Sequence, residues 1–237
     1  MLRSVDWYVV PLLNPDGYEF CHSQDRLWRK NRRPPGPAEK CHGVDLNRNF
    51  DLGYGLGAST DSCSEVFQGP GPGSEPESRA LMSLGLRLNS SLLYYVSLHA
   101  YGQSWLTPWG FKTEPPPNQA DLVDVARAAS RQAECRAGPG PVPAREFEVG
   151  GAAEIYYVAG GASDDWFYDR TSAKFSYTIE LPDDGREYGF LFPAELAPQV
   201  SSGLRDDKEN IRNFTLQVGE DIWISLSTLA LEALARS

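Results

Sequence analysis

The sequence is short of the features that mark several classes of protein. It has no apolar run of the ~20 residues that a bilayer-spanning helix needs, and its first residues, MLRSVDWYVV, lack the apolar core of a signal peptide. Acidic residues outnumber basic ones by 32 to 22, which gives a net charge of −10. Because binding to phosphates requires a basic surface, we expect no nucleic-acid partner. Because no apolar run is long enough to span a bilayer, we expect no membrane association.

Cysteine is also scarce. The four cysteines, at positions 21, 41, 63 and 135, form no C-x-x-C pair, which argues against zinc ribbons and thioredoxin-type sites and favours structural disulfides. The sequons Asn89-Ser90-Ser91 and Asn213-Phe214-Thr215 would be glycosylated only in a secreted chain. Together these features predict a secreted, extracellular glycoprotein.

The remaining composition is that of an ordinary folded domain. The 237 residues include 41% hydrophobic and 11% aromatic residues, enough to bury one core. We therefore expect a single domain over residues 1–237, and a monomer.

Apolar runs and helical periodicities alternate along the chain. Strands are predicted at 7–13 (WYVVPLL), 92–98 (LLYYVSL) and 174–179 (KFSYTI), and the first is predicted to end in a turn at Asn14-Pro15-Asp16-Gly17. Helices are predicted from Glu75-Pro76-Glu77 onward, over 121–135 and at the C-terminus, whereas 26–37 and 201–219 are predicted to be loops. This order indicates an α/β fold with a mixed central β-sheet flanked by helices on both faces, in which ligands bind at the carboxyl ends of strands.

Two side chains suited to chemistry follow predicted strands directly. His99 comes after LLYYVSL, and Glu180 comes after KFSYTI. A histidine in such a place is otherwise a hydrogen-bonded structural residue, and a lone glutamate is otherwise solvated. The surrounding sequence decides between these interpretations.

That sequence contains several distinctive segments in a fixed order. They resemble the signature segments of the secreted zinc metallocarboxypeptidases of the pancreatic carboxypeptidase A/B family, and the resemblance covers essentially the whole chain. The segments are NPDGY (14–18), RLWRK (26–30), GVDLNRNF (43–50), SLHAYGQ (97–103), IYYVAGGASDDW (155–166), YTIEL (177–181) and YGF (188–190).

The resemblance implies roles for individual residues. His99 matches the family's third zinc ligand, and Glu180 matches the general base that takes a proton from the zinc-bound water, whose pKa zinc lowers to about 7. Arg29 matches the arginine that stabilises the oxyanion. Asn47 and Arg48 match the pair that binds the C-terminal carboxylate of the substrate. The alternatives are that Arg29 belongs to a solvated basic loop and that Arg48 forms a turn salt bridge with Asp45.

The same resemblance supplies residues that bind the substrate's last side chain. Counting back from Trp166 assigns the mobile tyrosine to Tyr157, whereas counting forward from Ile155 would choose Tyr156. Asp164 falls at the floor of the specificity pocket, where an acid selects Lys or Arg; otherwise it is a loop acid beside Asp165. Tyr101 is also assigned to substrate binding.

The family also shares a disulfide that Cys41 and Cys63 match. Cys21 and Cys135 have no such counterpart, so they either form a second bridge, which we favour, or stay free.

One part of the family pattern is missing. The first two zinc ligands come from an H-x-x-E motif well ahead of RLWRK, and this chain does not contain it; the H-x-x-D tetrapeptides at His22 and His42 are no replacement. We therefore expect an N-terminally truncated catalytic domain that binds Zn²⁺ weakly or not at all and is inactive alone. With the missing part restored, we expect a carboxypeptidase that releases Lys or Arg from peptide or protein C-termini; the alternative is a non-catalytic module that binds such C-termini.

Overall fold

The computed structural model describes residues 5–134, 146–186, 188–191 and 209–236. Its helices are α1 (Pro15–Ser23), α2 (Pro76–Leu88), α3 (Gln119–Glu134), α4 (Ala152–Ile155), α5 (Ser163–Arg170) and α6 (Glu209–Arg236). Its strands are β1 (Tyr94–Ala100), β2 (Ser104–Thr107), β3 (Glu148–Gly151) and β4 (Phe175–Leu181). Two short 3-10 helices span Leu46–Arg48 and Asn89–Ser91.

The four strands form one mixed sheet in the order β1-β4-β2-β3. Strand β1 runs parallel to β4, and β2 runs parallel to β3, whereas β2 and β4 are antiparallel. The register places His99 opposite Glu180 and Ser104 opposite Glu180 on the other side. Side chains from β1 and β2 therefore flank Glu180, which brings three separate stretches of sequence together.

Helices cover both faces of this sheet. On one face, α3 and α6 pack against alternate residues of β2 and β4, and the buried cluster includes Trp105, Leu122, Tyr177, Ile179 and Leu229. On the other face, α2 and α5 contribute Leu81, Trp166 and Phe167, which pack with Phe50. Because neighbouring strand residues point to opposite faces, Tyr94 and Tyr95 join different clusters. The predicted fold class is confirmed.

Several predicted elements are confirmed by the structure. Helix α2 begins at Pro76, with proline at its first position and Glu77 in its first turn, where the missing N–H of proline costs nothing and an acid favours the helix dipole. Helix α3 and strand β4 lie within a residue or two of the predicted bounds. The basic stretch from Arg26 to Pro37 contains no helix or strand.

Three predictions were wrong. Residues 7–13 form no strand, and Tyr8, Val9 and Leu12 are exposed; a strand needs a neighbouring strand to pair its backbone, and the described residues provide none for this segment. Helix α1 begins at the predicted turn, because Asn14 caps it through a bond from the amide of Gly17. Helix α6 begins at Glu209, inside the predicted loop 201–219.

The predictions for the cysteines are confirmed only in part. Cys41 and Cys63 form a disulfide that closes the loop carrying Asn47 and Arg48, as predicted. The favoured second bridge is not found, because Cys21 is a free thiol that donates a hydrogen bond to the carbonyl oxygen of Arg26; Cys135 lies outside the described residues. In the described part of the chain, no helix has the length and apolarity to cross a membrane.

Candidate active site

His99 and Glu180 form the centre of the site. Both residues lie inside their strands rather than directly after them, since β1 and β4 continue to Ala100 and Leu181. The Nδ1 atom of His99 is 3.8 Å from Oε1 of Glu180, and its Nε2 atom is 2.9 Å from the hydroxyl oxygen of Ser97. The strand register thus places the predicted zinc ligand, His99, beside the predicted general base, Glu180.

The electrostatic environment moves the pKa values of these two groups in opposite directions. Burial raises the pKa of Glu180 to about 7; the positive charge of Arg29 opposes this rise and the charge of Asp164 adds to it. Burial also lowers the pKa of His99 to about 4, with a further contribution from the nearby guanidinium of Arg29. At neutral pH the imidazole is therefore neutral and able to bind a metal, while Glu180 is able both to take and to give a proton.

Arg29 is held beside this pair by a buried acid. Its Nε atom lies 2.9 Å from Oδ2 of Asp45, whose side chain is almost fully buried. Partial burial lowers the pKa of Arg29, but the Asp45 carboxylate outweighs it and raises the pKa overall. The guanidinium is therefore a fixed positive charge close to Glu180, as an oxyanion-stabilising group requires.

Asn47 and Arg48 lie on the short helix Leu46–Arg48, which Asp45 caps through a bond from the amide of Asn47. Arg48 is buried, and its Nη1 atom donates to the carbonyl oxygen of Asn47. Its Nη2 atom donates to the hydroxyl of Tyr157 over 3.2 Å. The Nε atom is buried without a partner among the described residues, which leaves Arg48 able to bind an anion.

The two neighbouring tyrosines have different surroundings. Tyr157 is exposed, and its phenol contacts Arg48. The hydroxyl of Tyr156 is 3.2 Å from that of Ser104 and close to Gly102, beside Glu180. The contact with Arg48 belongs to Tyr157, the residue chosen by counting from Trp166.

Asp164 and Asp165 are both buried at the start of α5, so neither is an exposed loop acid. Asp165 accepts hydrogen bonds from the backbone amides of Gly110 and Phe111, which gives it a structural role. Asp164 lies within the electrostatic reach of Arg48, and burial raises its pKa although a hydrogen bond from Thr178 opposes the rise. Asp164 is therefore the acid that faces the candidate site.

Tyr101 follows β1 and lies at the edge of this site. Its ring meets that of Phe190 edge to face, with 4.6 Å between the centroids. Gly185 and Gly189 pack directly against the same ring, and a Cβ at Gly185 would come within 2.5 Å of it. Tyr101 is thus held between the end of β1 and the segment after β4.

The metal half of the site is incomplete in the described residues. No group of three or more His, Cys, Asp or Glu side chains in them is arranged to hold a metal ion. His99 supplies a single imidazole, whereas catalytic zinc sites have three protein ligands and an open position. The donors present therefore do not fit a catalytic zinc ion by themselves.

Sequence reasoning missed some residues that shape the site. Asp45 was considered only as a turn acid, although its place two residues before Asn47 is the position from which an acid caps a short helix. Ser97 and Thr178 contact His99 and Asp164; each lies two positions before a site residue on the same strand, and therefore on the same face of the sheet.

Comparisons with known proteins define the class to which the chain belongs. The model of the zinc carboxypeptidase family matches residues 1–206, and the chain belongs to that family. It is 38% identical to carboxypeptidase B of Astacus astacus over 194 residues, which are 81% of this chain and 62% of that protein. It is 38% identical to human carboxypeptidase O over 200 residues, covering 84% of this chain and 51% of that protein.

Solved structures agree with the relatives found by sequence. A crystal structure of thrombin-activatable fibrinolysis inhibitor superposes with a TM-score of 0.83 at 32% identity, covering 100% of this chain and 53% of that one. The bovine form in complex with a tick carboxypeptidase inhibitor gives a TM-score of 0.82 at 32% identity, over 97% of this chain and 70% of that one. The chain thus spans about half to three fifths of the length of the first two curated relatives.

Proposed function

We propose that this chain carries the substrate-binding and acid–base part of a carboxypeptidase that releases Lys or Arg from the C-termini of peptides and proteins. The observation that carries the proposal is the position of Arg48. This buried guanidinium contacts the hydroxyl of Tyr157 and lies within the electrostatic reach of His99 and of Asp164. The guanidinium proposed to bind the C-terminal carboxylate therefore lies close to both the reacting centre and the pocket acid.

The proposed reaction uses each group for one task. Arg48 and Asn47 bind the free C-terminal carboxylate, since a planar guanidinium suits bidentate carboxylate recognition. Tyr157 covers the bound residue and Tyr101 contacts the residue before the scissile bond. Asp164 pairs with the ammonium or guanidinium of a terminal Lys or Arg.

Glu180 takes a proton from the water that attacks the peptide carbonyl and gives it to the amine as the C–N bond breaks. A pKa of about 7 suits both transfers at neutral pH. Arg29 stabilises the negative charge that develops on the carbonyl oxygen. The family uses a zinc ion, of which His99 would be one ligand; the further ligands are not among the described residues.

A second candidate function is metal-free binding of peptide C-termini. It is favoured by the single imidazole at the centre of the site, because one histidine does not hold a catalytic zinc ion. Arg48, Asn47 and Tyr157 would serve this function unchanged. Both candidate functions therefore bind peptide C-termini, and only the first hydrolyses the terminal peptide bond.

The setting of the protein is also part of the proposal. The Cys41–Cys63 disulfide supports a secreted, extracellular protein, because such bonds persist in oxidising compartments. We further propose that Asn89 and Asn213 are glycosylated and that the protein is a monomer. We propose no membrane or nucleic-acid partner for it.

One experiment tests the shared ligand and separates the candidates. Peptides ending in Lys, Arg, Phe or Leu, each with a free or an amidated C-terminus, are titrated calorimetrically into the chain with and without zinc, and released amino acids are measured by mass spectrometry. We expect the free carboxylate to bind at least about tenfold more tightly than the amide. Equal affinity for both forms would overturn the proposal. Because this chain supplies a single imidazole, release is measured also on a form extended by the family's H-x-x-E segment. Release of Lys or Arg by that form identifies the enzyme, and binding without release by that form identifies the module.

A further inference from the structure

Asp45 uses its two carboxylate oxygens for two different partners in the site. Oδ2 accepts a hydrogen bond from Nε of Arg29 over 2.9 Å, and Oδ1 accepts one from the backbone amide of Asn47 over 3.1 Å. The carbonyl oxygen of Asp45 also accepts from the amide of Arg48, and its own amide donates to the carbonyl oxygen of Phe67. Asp45 is only 3% exposed, so these partners replace water entirely.

The bond to Arg29 sets the direction of a long side chain. Arg29 has 40% of its side chain exposed and lies on a segment without helix or strand, so its backbone alone does not restrict the guanidinium. Because its Nε–H is directed at the Asp45 carboxylate, the plane of the guanidinium is fixed and its terminal N–H groups remain as donors for a further acceptor. A charged hydrogen bond of this kind orients the planar group as well as holding it.

The bond to the amide of Asn47 caps the short helix that carries the carboxylate-binding pair. From there the contacts continue, since the side-chain oxygen of Asn47 accepts a bond from the amide of Ser163, the residue before Asp164. A chain of hydrogen bonds thus joins Arg29, Asp45, Asn47 and the start of α5. The groups assigned to the oxyanion, the C-terminal carboxylate and the terminal side chain share one support.

We propose that Asp45 is a positioning residue that fixes Arg29 relative to the carboxylate-binding pair, so that one buried acid sets the distance between the oxyanion-stabilising guanidinium and the groups that bind the C-terminal carboxylate. The inference rests on the proposed function, because it takes the roles of Arg29, Asn47 and Arg48 from it. Asp45 affects oxyanion binding through Arg29, whereas an Asp45 with a merely structural role would affect only the stability of the loop.

An asparagine at this position separates the two tasks. In Asp45→Asn the amide oxygen still accepts the bond from Asn47, so the short helix keeps its cap. The amide nitrogen has no acceptor to offer, and it meets the Nε–H of Arg29 donor to donor. Arg29 loses its anchor while Asn47 and Arg48 keep their places.

The test is a double-mutant cycle read by binding rather than by turnover. The unaltered chain, Asp45→Asn, Arg29→Ala and the double variant are titrated with two ligands: a peptide ending in Lys, and a phosphonate analogue of it that mimics the tetrahedral oxyanion. We expect Asp45→Asn to weaken binding of the phosphonate about tenfold and of the peptide less than about threefold. In the Arg29→Ala background, Asp45→Asn should change phosphonate affinity less than about twofold, because the shared interaction is already gone.

Asp61→Asn is the matched control, since Asp61 makes the same kind of bond to the amide of Cys63 in an exposed turn. It should change neither affinity. Unchanged phosphonate binding in Asp45→Asn, or an equal loss with and without Arg29, would overturn the inference and leave the proposed function standing. If the unaltered chain does not prefer the free carboxylate over the amide, the proposed function falls and the inference falls with it.

Discussion

His99 and Glu180 stand opposite each other on parallel strands, with 3.8 Å between Nδ1 and Oε1. Burial moves both groups toward their neutral forms, to a pKa of about 4 for the imidazole and about 7 for the carboxyl. Since the ordinary values are 6.5 and 4.5, their order is reversed, so that the carboxyl keeps its proton at a pH where the imidazole has lost its own.

This reversal predicts opposing pH effects on stability in the metal-free chain. Between about pH 4.5 and 7 the folded chain holds a proton on Glu180 that the unfolded chain has lost, so its contribution falls as pH rises. Between about pH 4 and 6.5 the unfolded chain holds a proton on His99 that the folded chain lacks, so that contribution rises with pH. Each contribution is on the order of 3 kcal/mol.

Single variants should expose each contribution. Relative to the unaltered chain, Glu180→Gln should lose the fall in the free energy of unfolding between about pH 4.5 and 7, and His99→Asn should lose the rise between about pH 4 and 6.5. Urea unfolding in the presence of a chelator measures both profiles. Parallel profiles for the two variants would contradict the assigned protonation states.

Asp164→Asn should remove the preference for a basic C-terminal residue. The change keeps the size of the side chain but removes the charge that pairs with Lys or Arg, so the affinity ratio of Lys-ended to Phe-ended peptides should fall about tenfold or more. Calorimetric titration with the two peptides measures the ratio.

Asp165→Asn is the contrasting variant for this prediction. Asp165 holds the amides of Gly110 and Phe111, so we expect a lower melting temperature and little change in the Lys-to-Phe ratio. A change in preference from Asp165→Asn alone would show that the wrong acid was assigned to the pocket.

Tyr157→Phe should weaken binding of peptides that have a free C-terminus by about three- to tenfold, because it removes the phenol that meets Arg48. Tyr156→Phe is the matched control, since it removes a hydroxyl that contacts Ser104 instead. Titration of both variants with the same Lys-ended peptide compares them directly. A larger loss in Tyr156→Phe would favour the count from Ile155.

Removal of the Cys41–Cys63 disulfide should lower stability and weaken carboxylate binding together. The bond joins residues 22 apart in sequence, and closing a loop of this length contributes about 3 kcal/mol. In a chain of this size that corresponds to a fall in melting temperature of roughly 6–12 °C. Calorimetry of Cys41→Ser/Cys63→Ser measures the fall; Cys21→Ser, which removes a free thiol, should leave the melting temperature nearly unchanged.

Local signals predicted the elements that depend on neighbouring residues. The proline and glutamate at the start of α2, the periodicity of α3 and the alternation of β4 are all readable within a few residues. The segment 7–13 has equally strong strand character but forms none, because strand formation depends on a partner that is distant in sequence, and the described residues offer no such partner to this segment. Helix α1 was missed because Asn14-Pro15 suits both a turn and a capped helix.

By itself, the sequence determined the family, the mixed α/β class and the identity of the candidate site residues, because ordered motifs state which side chains occur and in what succession. The tertiary structure alone decided which of them meet. The register that sets His99 against Glu180, the choice of Tyr157 as the partner of Arg48, and the buried Asp45 between Arg29 and Asn47 all arise from contacts between distant segments. Such contacts depend on strand pairing and burial, which are properties of the whole packed chain rather than of any one motif.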